Sequence, residues 1–295
     1  MYSLPQLLKE KETVILDSAM GTELQRLGYK TYLPLWTAPA NEEAPNLVTK
    51  IHEDNIRAGA NIITTNTFRT IRWTFSRIGQ PDKASELTKK AVELAQTAAT
   101  KADEEVLVAG SISTLEDCYE PLKVPSKEIL DEEHEYQVEL LISLGVDFIQ
   151  IETINSIRES EATAKAASHA GIPFISSFVT DGNASLLSGE SIIEAIKSIV
   201  SFEPEAIMLN CAPLEVINQD FETLCENYTG YKGLYANGCG QPHDELGWEF
   251  DDNYDAQKKY VDYFKIWKKK GLKIIGGCCG TNPDYIRSLS RVIPS

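Results

Sequence analysis

The 295-residue chain is expected to fold as an α/β protein, a single (β/α)8 TIM barrel occupying residues 1–295 as one domain. Three observations predict it. Eight short apolar runs alternate with eight stretches of helical periodicity. Most of the runs are continuous, as expected of parallel strands buried on both faces. Polar residues gather at their C-terminal ends, where a barrel of this class carries its active site.

In chain order the strands are "VILDSA" (14–19), "NIITTNTF" (61–68), "VLVAGSI" (106–112) and "FIQIET" (148–153), then "PFISSFV" (173–179), "AIMLNC" (206–211), "GLYANG" (233–238) and "LKIIGGCC" (272–279). The helical stretches follow them at 45–59, 83–103, 126–145, 156–171, 189–202, 214–228, 255–271 and 283–292. Gly59, Gly145, Gly171 and Gly271 stand where a helix stop is needed. A doubly wound open sheet is the alternative. It would carry a GxGxxG turn after the first strand, and "LDSAMGTELQRLG" has none. No Pro/Ser-rich linker divides the chain.

Composition narrows the function classes. A net charge of −16 argues against a nucleic-acid partner, which needs a concentrated basic surface. The lysines of "KIWKKKG" (265–271) read as a solvated helix end. The apolar stretch "LLISLGVDFIQI" (140–151) is broken well short of the roughly 20 residues a spanning helix needs. A cytoplasmic protein acting on small molecules, with no nucleic-acid or membrane partner, is therefore expected. Nothing in the barrel's outer helices indicates an oligomeric state.

The polar strand ends are Asp17 with its "MGT" turn, "TTNTF" (64–68), Glu152 and Thr153, Asn210 and Cys211, Asn237, and the pair Cys278–Cys279. Side by side, the two cysteines could be buried small hydrophobes, a redox pair, or thiolate ligands of one metal. Cys211 favours the third use, because the barrel brings it to the same rim. Three thiolates suit Zn²⁺ and leave a fourth position open. An anionic three-thiolate site is poorly suited to making hydroxide. It is well suited to holding a substrate thiol deprotonated for alkyl transfer.

With these residues the chain resembles the zinc-dependent homocysteine S-methyltransferase family. The likeness runs from "ILDSAMGTELQRLG" through "RAGANIITTNTF", "FIQIET", "LLSGES" and "LNC" to "GGCCGTNPDYI". It implies that Cys211, Cys278 and Cys279 bind Zn²⁺, with the homocysteine thiolate in the fourth position. It also implies that Asp17 and Glu152 hold the amino group. The main-chain N–H groups of Met20 and Gly21 would receive the carboxylate, Thr65 and Phe68 would line the pocket, and Asn237 would complete the metal shell without substrate. Trp36 sits where the family keeps an aromatic near the methyl donor. Tyr119, Trp248, Tyr254 and the acidic run "HDELGWEFDD" are further donor candidates.

S-methylmethionine or S-adenosylmethionine is the expected donor, with betaine next. A non-catalytic zinc-binding barrel, or a transferase for another thiol or a selenol, is the alternative. Three places depart from the family pattern. Ser18 fills a glycine slot in the first turn, and Met208 and Leu209 precede Asn-Cys. The loop after strand 7 reads "YANGCGQPHDELGW" and adds Cys239, which could be a thiol supporting the metal ligands, a ligand of the resting metal or a surface cysteine, the last being favoured.

Overall fold

A computed structural model describes residues 2–243, 247–249 and 255–293. Its strands are β1 (Val14–Ile15), β2 (Ile62–Thr64), β3 (Leu107–Ile112), β4 (Phe148–Ile154), β5 (Phe174–Phe178), β6 (Ala206–Asn210), β7 (Tyr231–Tyr235), β8 (Gln241–His243), β9 (Gly247–Glu249) and β10 (Leu272–Ile275). The helices are α1 (Leu4–Glu10), α2 (Met20–Arg26), α3 (Ala40–Glu43), α4 (Pro45–Ala58), α5 (Arg72–Ser76) and α6 (Pro81–Ala99), followed by α7 (Lys127–Ser143), α8 (Ile157–His169), α9 (Ile192–Ile199), α10 (Leu214–Asn227), α11 (Ala256–Lys269) and α12 (Pro283–Ser290).

Eight of the strands form one parallel sheet in the order β1-β10-β7-β6-β5-β4-β3-β2. A parallel bridge between Leu16 and Ile62 closes β1 onto β2, and Asn61 N–H donates to the Ile15 carbonyl at 2.7 Å. The predicted (β/α)8 barrel is the observed fold. Each of the eight expected strands lies in the ladder, but several stop short of their predicted C-terminal ends. Asp17, Thr65 to Phe68 and Gly276 to Cys279 lie beyond the last paired residues, because polar or glycine-rich ends turn toward the rim instead of continuing the sheet. The short helices α1, α2, α3 and α5, and the antiparallel β8–β9 hairpin, have no counterpart in the expected pattern.

Alternation along the strands separates two cores. Val14, Leu16, Ile62, Leu107, Ala109, Phe148, Ile175, Ala206, Met208, Tyr235 and Ile274 pack together inside the barrel, joined by Leu4, Leu7 and Leu8 of α1. Helix α1 thus closes the barrel bottom, and each fully buried leucine contributes roughly 1.5–3 kcal/mol of apolar burial. The intervening residues, such as Ile149, Ile151, Ile207, Leu209, Leu234 and Ile275, face the helical shell. Met208 is accommodated because Gly233 pairs beside it on β7, where a Cβ would come within 2.6 Å of the Met208 methyl. Above Phe148, the period of two places Gln150 and Glu152 in the interior column of β4. Among the described residues no helix is long and apolar enough to cross a membrane.

Candidate active site

A cavity of about 500 Å³ opens at the C-terminal ends of the strands. Its wall includes Asp17, Met20, Gly21, Trp36, Thr65, Phe68, Tyr119, Glu152, Cys211, Trp248, Cys278 and Cys279. Residues far apart in sequence are therefore brought to one chamber, as the barrel requires. Asn237 is not part of that wall; it is buried beside it, with N–H donating to the Ala212 carbonyl and with its Oδ1 lacking a hydrogen-bond partner. Tyr254 and much of the acidic run around it lie outside the described residues.

The sulfurs of Cys211, Cys278 and Cys279 all lie within 4.8 Å of one another, with Cys211 and Cys279 at 3.9 Å. Three thiolates bound tetrahedrally at about 2.3 Å would stand roughly 3.8 Å apart, so the donor set fits a zinc-sized ion. The backbone fixes the arrangement. Cys211 N–H donates to the Tyr235 carbonyl, Cys278 N–H to Ala236, and Gly238 N–H to the Cys279 carbonyl. Cys211 adopts a left-handed φ of +54°, a strained conformation for a residue with a Cβ. At Gly280, with φ +77°, a Cβ would come 2.3 Å from the Cys239 carbonyl oxygen. Hydrogen bonding among the thiols, followed by burial, holds Cys211 and Cys279 well above the ordinary thiol range. Three thiolates so close together need a cation to stay deprotonated.

Two carboxyls face the same cavity. Asp17 does not cap α2; its oxygens accept from Thr64 N–H at 2.8 Å and from the Thr64 hydroxyl at 2.9 Å. Burial nevertheless pushes Asp17 up to about 8, and nearby Glu152 adds to the rise. Glu152 accepts from the Ser111 hydroxyl, and burial raises it to about 7 against the opposing effect of Ser111, Gln150 and Tyr235. Two buried, half-compensated carboxyls have the chemistry to receive a cation. Trp36 Nε1 and Gln150 Oε1, both on the cavity wall, are buried without hydrogen-bond partners.

Supporting contacts set these positions. Ser18, in the slot where a glycine was expected, donates through N–H and hydroxyl to Asn55 Oδ1 at 3.0 and 2.8 Å. Thr65 hydroxyl is engaged by Thr67 and by Ser111 N–H, so it lines the cavity without a spare donor. Trp36 stacks edge-on to Phe68 at 6.0 Å, and its ring lies 2.6 Å from where a Cβ on Gly21 would stand. Asn210 reaches across to β4: Oδ1 accepts from Thr153 N–H at 3.1 Å and Nδ2 donates to the Thr153 hydroxyl at 3.0 Å. Thr153 has φ +60°, and the β4–β5 register shifts there, so Asn210 holds the kink beside Glu152. Cys239, expected at the surface, is half-buried with its sulfur 3.3 Å from the Tyr285 hydroxyl. Trp248 donates to the Cys239 carbonyl and is buried.

The profile of the family described as "Homocysteine S-methyltransferase" matches residues 14–293. The chain belongs to the homocysteine S-methyltransferase family. It is 30% identical to Homocysteine S-methyltransferase 3 of Arabidopsis thaliana, covering 95% of this chain and 89% of that protein. It is 29% identical to Selenocysteine Se-methyltransferase of Brassica oleracea var. italica, over 100% and 93% of the two chains. The solved structure of the homocysteine methyltransferase MmuM from Escherichia coli, in its metallated form, superposes with a TM-score of 0.83 at 26% identity, covering 97% of this chain and 98% of that one.

Several residues in or directly behind the cavity wall of this family member were not singled out by the sequence. Ser111, Gln150 and Tyr235 are the polar partners around Glu152, and the period of two in β4 was the available signal for Gln150. Arg69, Asp117, Cys118 and Glu120 also line the cavity. Tyr119, considered only as a donor candidate, places its hydroxyl 3.3 Å from Cys211 Sγ.

Proposed function

We propose that this enzyme transfers a methyl group from an onium donor to the thiol of L-homocysteine, forming methionine, with Zn²⁺ held by Cys211, Cys278 and Cys279. The observation that carries the reading is one cavity containing both the three-sulfur cluster and two carboxyls with raised proton affinity. A bound zinc ion would supply the positive charge that keeps the acceptor thiol ionised at neutral pH.

The chain's own residues do the rest. Asp17 and Glu152 receive the acceptor's ammonium group, which returns both carboxyls toward their ionised state. Main-chain N–H groups of Met20 and Gly21, at the start of α2, receive its carboxylate, with Thr65 and Phe68 beside it. This places the acceptor sulfur toward the cysteines. Trp36 and Phe68 offer aromatic surface to the donor's positive charge and keep water from the reacting atoms. The acceptor sulfur then forms a bond to the donor methyl carbon as the bond from that carbon to the onium centre breaks. The bonding pair stays on the donor, which leaves neutral; the thiol's proton has already gone to solvent. Asn237, with its orphaned Oδ1, would be the further oxygen donor available to the metal when homocysteine is absent. S-methylmethionine and S-adenosylmethionine are the preferred donors, and betaine is the next.

A selenol acceptor is the second reading, favoured by the 29% identity to a selenocysteine Se-methyltransferase. The test is methionine formation from homocysteine with each of the three donors, alongside metal analysis, for wild type and Cys278→Ala. Turnover with about one zinc per chain, both lost in the variant, supports the proposal. Full zinc content without turnover of homocysteine or selenohomocysteine from any donor would leave a non-catalytic zinc barrel.

A further inference from the structure

The outer wall of the cavity carries a cation that the chemistry above does not use. Arg69 directly follows Phe68 and is only 7% exposed; among the described residues it is the only lysine or arginine that is buried. A buried guanidinium needs compensation on most of its five N–H donors. Here Nη1 donates to the Glu116 carbonyl at 3.1 Å, whereas Nε is buried without a partner. Its counter-ion is Asp117, 3.8 Å away and one-third exposed, too distant for a hydrogen bond. The guanidinium carbon stands 5.1 Å from the Phe68 ring centroid. Arg69 therefore retains capacity for a second, closer anion.

Its neighbours on the same wall define what else that anion would carry. Asp117, which also accepts from Tyr119 N–H at 2.9 Å, and Glu120, ion-paired with Lys123 at 2.8 Å, line the same cavity, and Tyr119 between them reaches Cys211 at 3.3 Å. The 117–120 segment is held in place by Asn155, which donates to the Cys118 carbonyl at 2.8 Å, and by Glu159, which accepts from Leu115 N–H at 2.8 Å. A molecule extending from the cysteine cluster along Tyr119 would meet a carboxylate receptor and two ammonium acceptors.

We infer that Arg69 binds the carboxylate of the methyl donor, so that the donors preferred above are recognised by their amino-acid end as well as by their sulfonium centre. Asp117 and Glu120 take the donor's ammonium group. This deepens the proposed function and rests on it, since the acceptor's own amino-acid end is assigned to Asp17, Glu152 and the α2 turn. When the sulfonium methyl moves to the acceptor sulfur, the C–S⁺ pair returns to the donor sulfur, and the neutral thioether amino acid leaves from Arg69.

The test compares metal-loaded wild type, Arg69→Gln and Arg69→Lys with two donors, S-methylmethionine and trimethylsulfonium, which has no carboxylate. Thermal melts by circular dichroism establish that the variants fold. Loss of a bidentate charge-assisted pair predicts a roughly ten- to hundredfold fall in kcat/KM for S-methylmethionine in Arg69→Gln, with trimethylsulfonium and the KM for homocysteine unchanged within about twofold. Arg69→Lys should recover part of the loss, because a lysine keeps the charge without the fork. Equal losses with both donors, or a raised homocysteine KM, would overturn the inference. Calorimetric binding of S-methylmethionine gives a readout without turnover: weaker binding in Arg69→Gln supports the role, and equal binding refutes it. If wild type makes no methionine from any donor, the proposed function fails; normal turnover with an unselective Arg69→Gln removes this inference alone.

Discussion

Replacing Glu152 with glutamine tests whether the acceptor pocket is built at the expense of stability. Burial raises Glu152 from its ordinary 4.5 to about 7. At 1.36 kcal/mol for each tenfold change in proton affinity, this rise corresponds to about 3 kcal/mol. The sign follows from proton binding. Between pH 4.5 and 7 the folded protein keeps a proton that the unfolded chain has released, so stability falls as pH rises. The contribution is fully present below the unfolded value and lost on passing through about 7. Glutamine cannot ionise, so Glu152→Gln should lack this part of the slope and be more stable than wild type by about 3 kcal/mol at pH 8, relative to their difference at pH 4. Urea unfolding of metal-free protein at pH 4, 5, 6, 7 and 8 measures it. Parallel stability curves for the two proteins would refute the assignment of a buried, raised carboxyl. The same variant should bind homocysteine more weakly, since the ammonium loses a counter-charge.

Three further outcomes are expected. Gly21→Ala places a Cβ about where the Trp36 ring lies, so overpacking should cost about 1–3 kcal/mol and raise the donor KM; a melt and donor titration will show whether it does. Asn210→Ala removes both side-chain bonds to Thr153 and should cost about 1–3 kcal/mol while lowering kcat/KM for homocysteine, as read from chemical denaturation and initial rates. Leu7→Ala, in the plug below the barrel, should cost about 2–5 kcal/mol by denaturation yet leave the KM of both substrates unchanged at a temperature where the variant is folded.

The barrel was legible because burial on both faces forces continuous apolar strands, and glycine stops mark where helices such as α4 end. Cys211, Cys278 and Cys279 were legible because the fold assigns strand ends to one rim. What escaped reading depends on three-dimensional coincidence. The plug α1 is seven residues long, too short for periodicity to declare it, and its leucines gain their meaning only from the open barrel bottom. Arg69 looked like any charged residue after a strand until its burial and incomplete pairing were seen. Asn210 was read as part of an Asn-Cys motif, whereas its amide holds Thr153 in a left-handed conformation on a strand 57 positions earlier in the chain. The Cys239 loop misled because its sequence is polar, although Tyr285 and Trp248 enclose the thiol and its carbonyl.

X-ray absorption at the zinc edge, on protein loaded with one equivalent of Zn²⁺, measures the central claim most directly. Three sulfur neighbours at about 2.3 Å and one lighter atom are predicted for the enzyme alone, changing to four sulfurs when homocysteine is added. Fewer than three sulfurs in the resting protein, or an unchanged spectrum with homocysteine, would contradict the account.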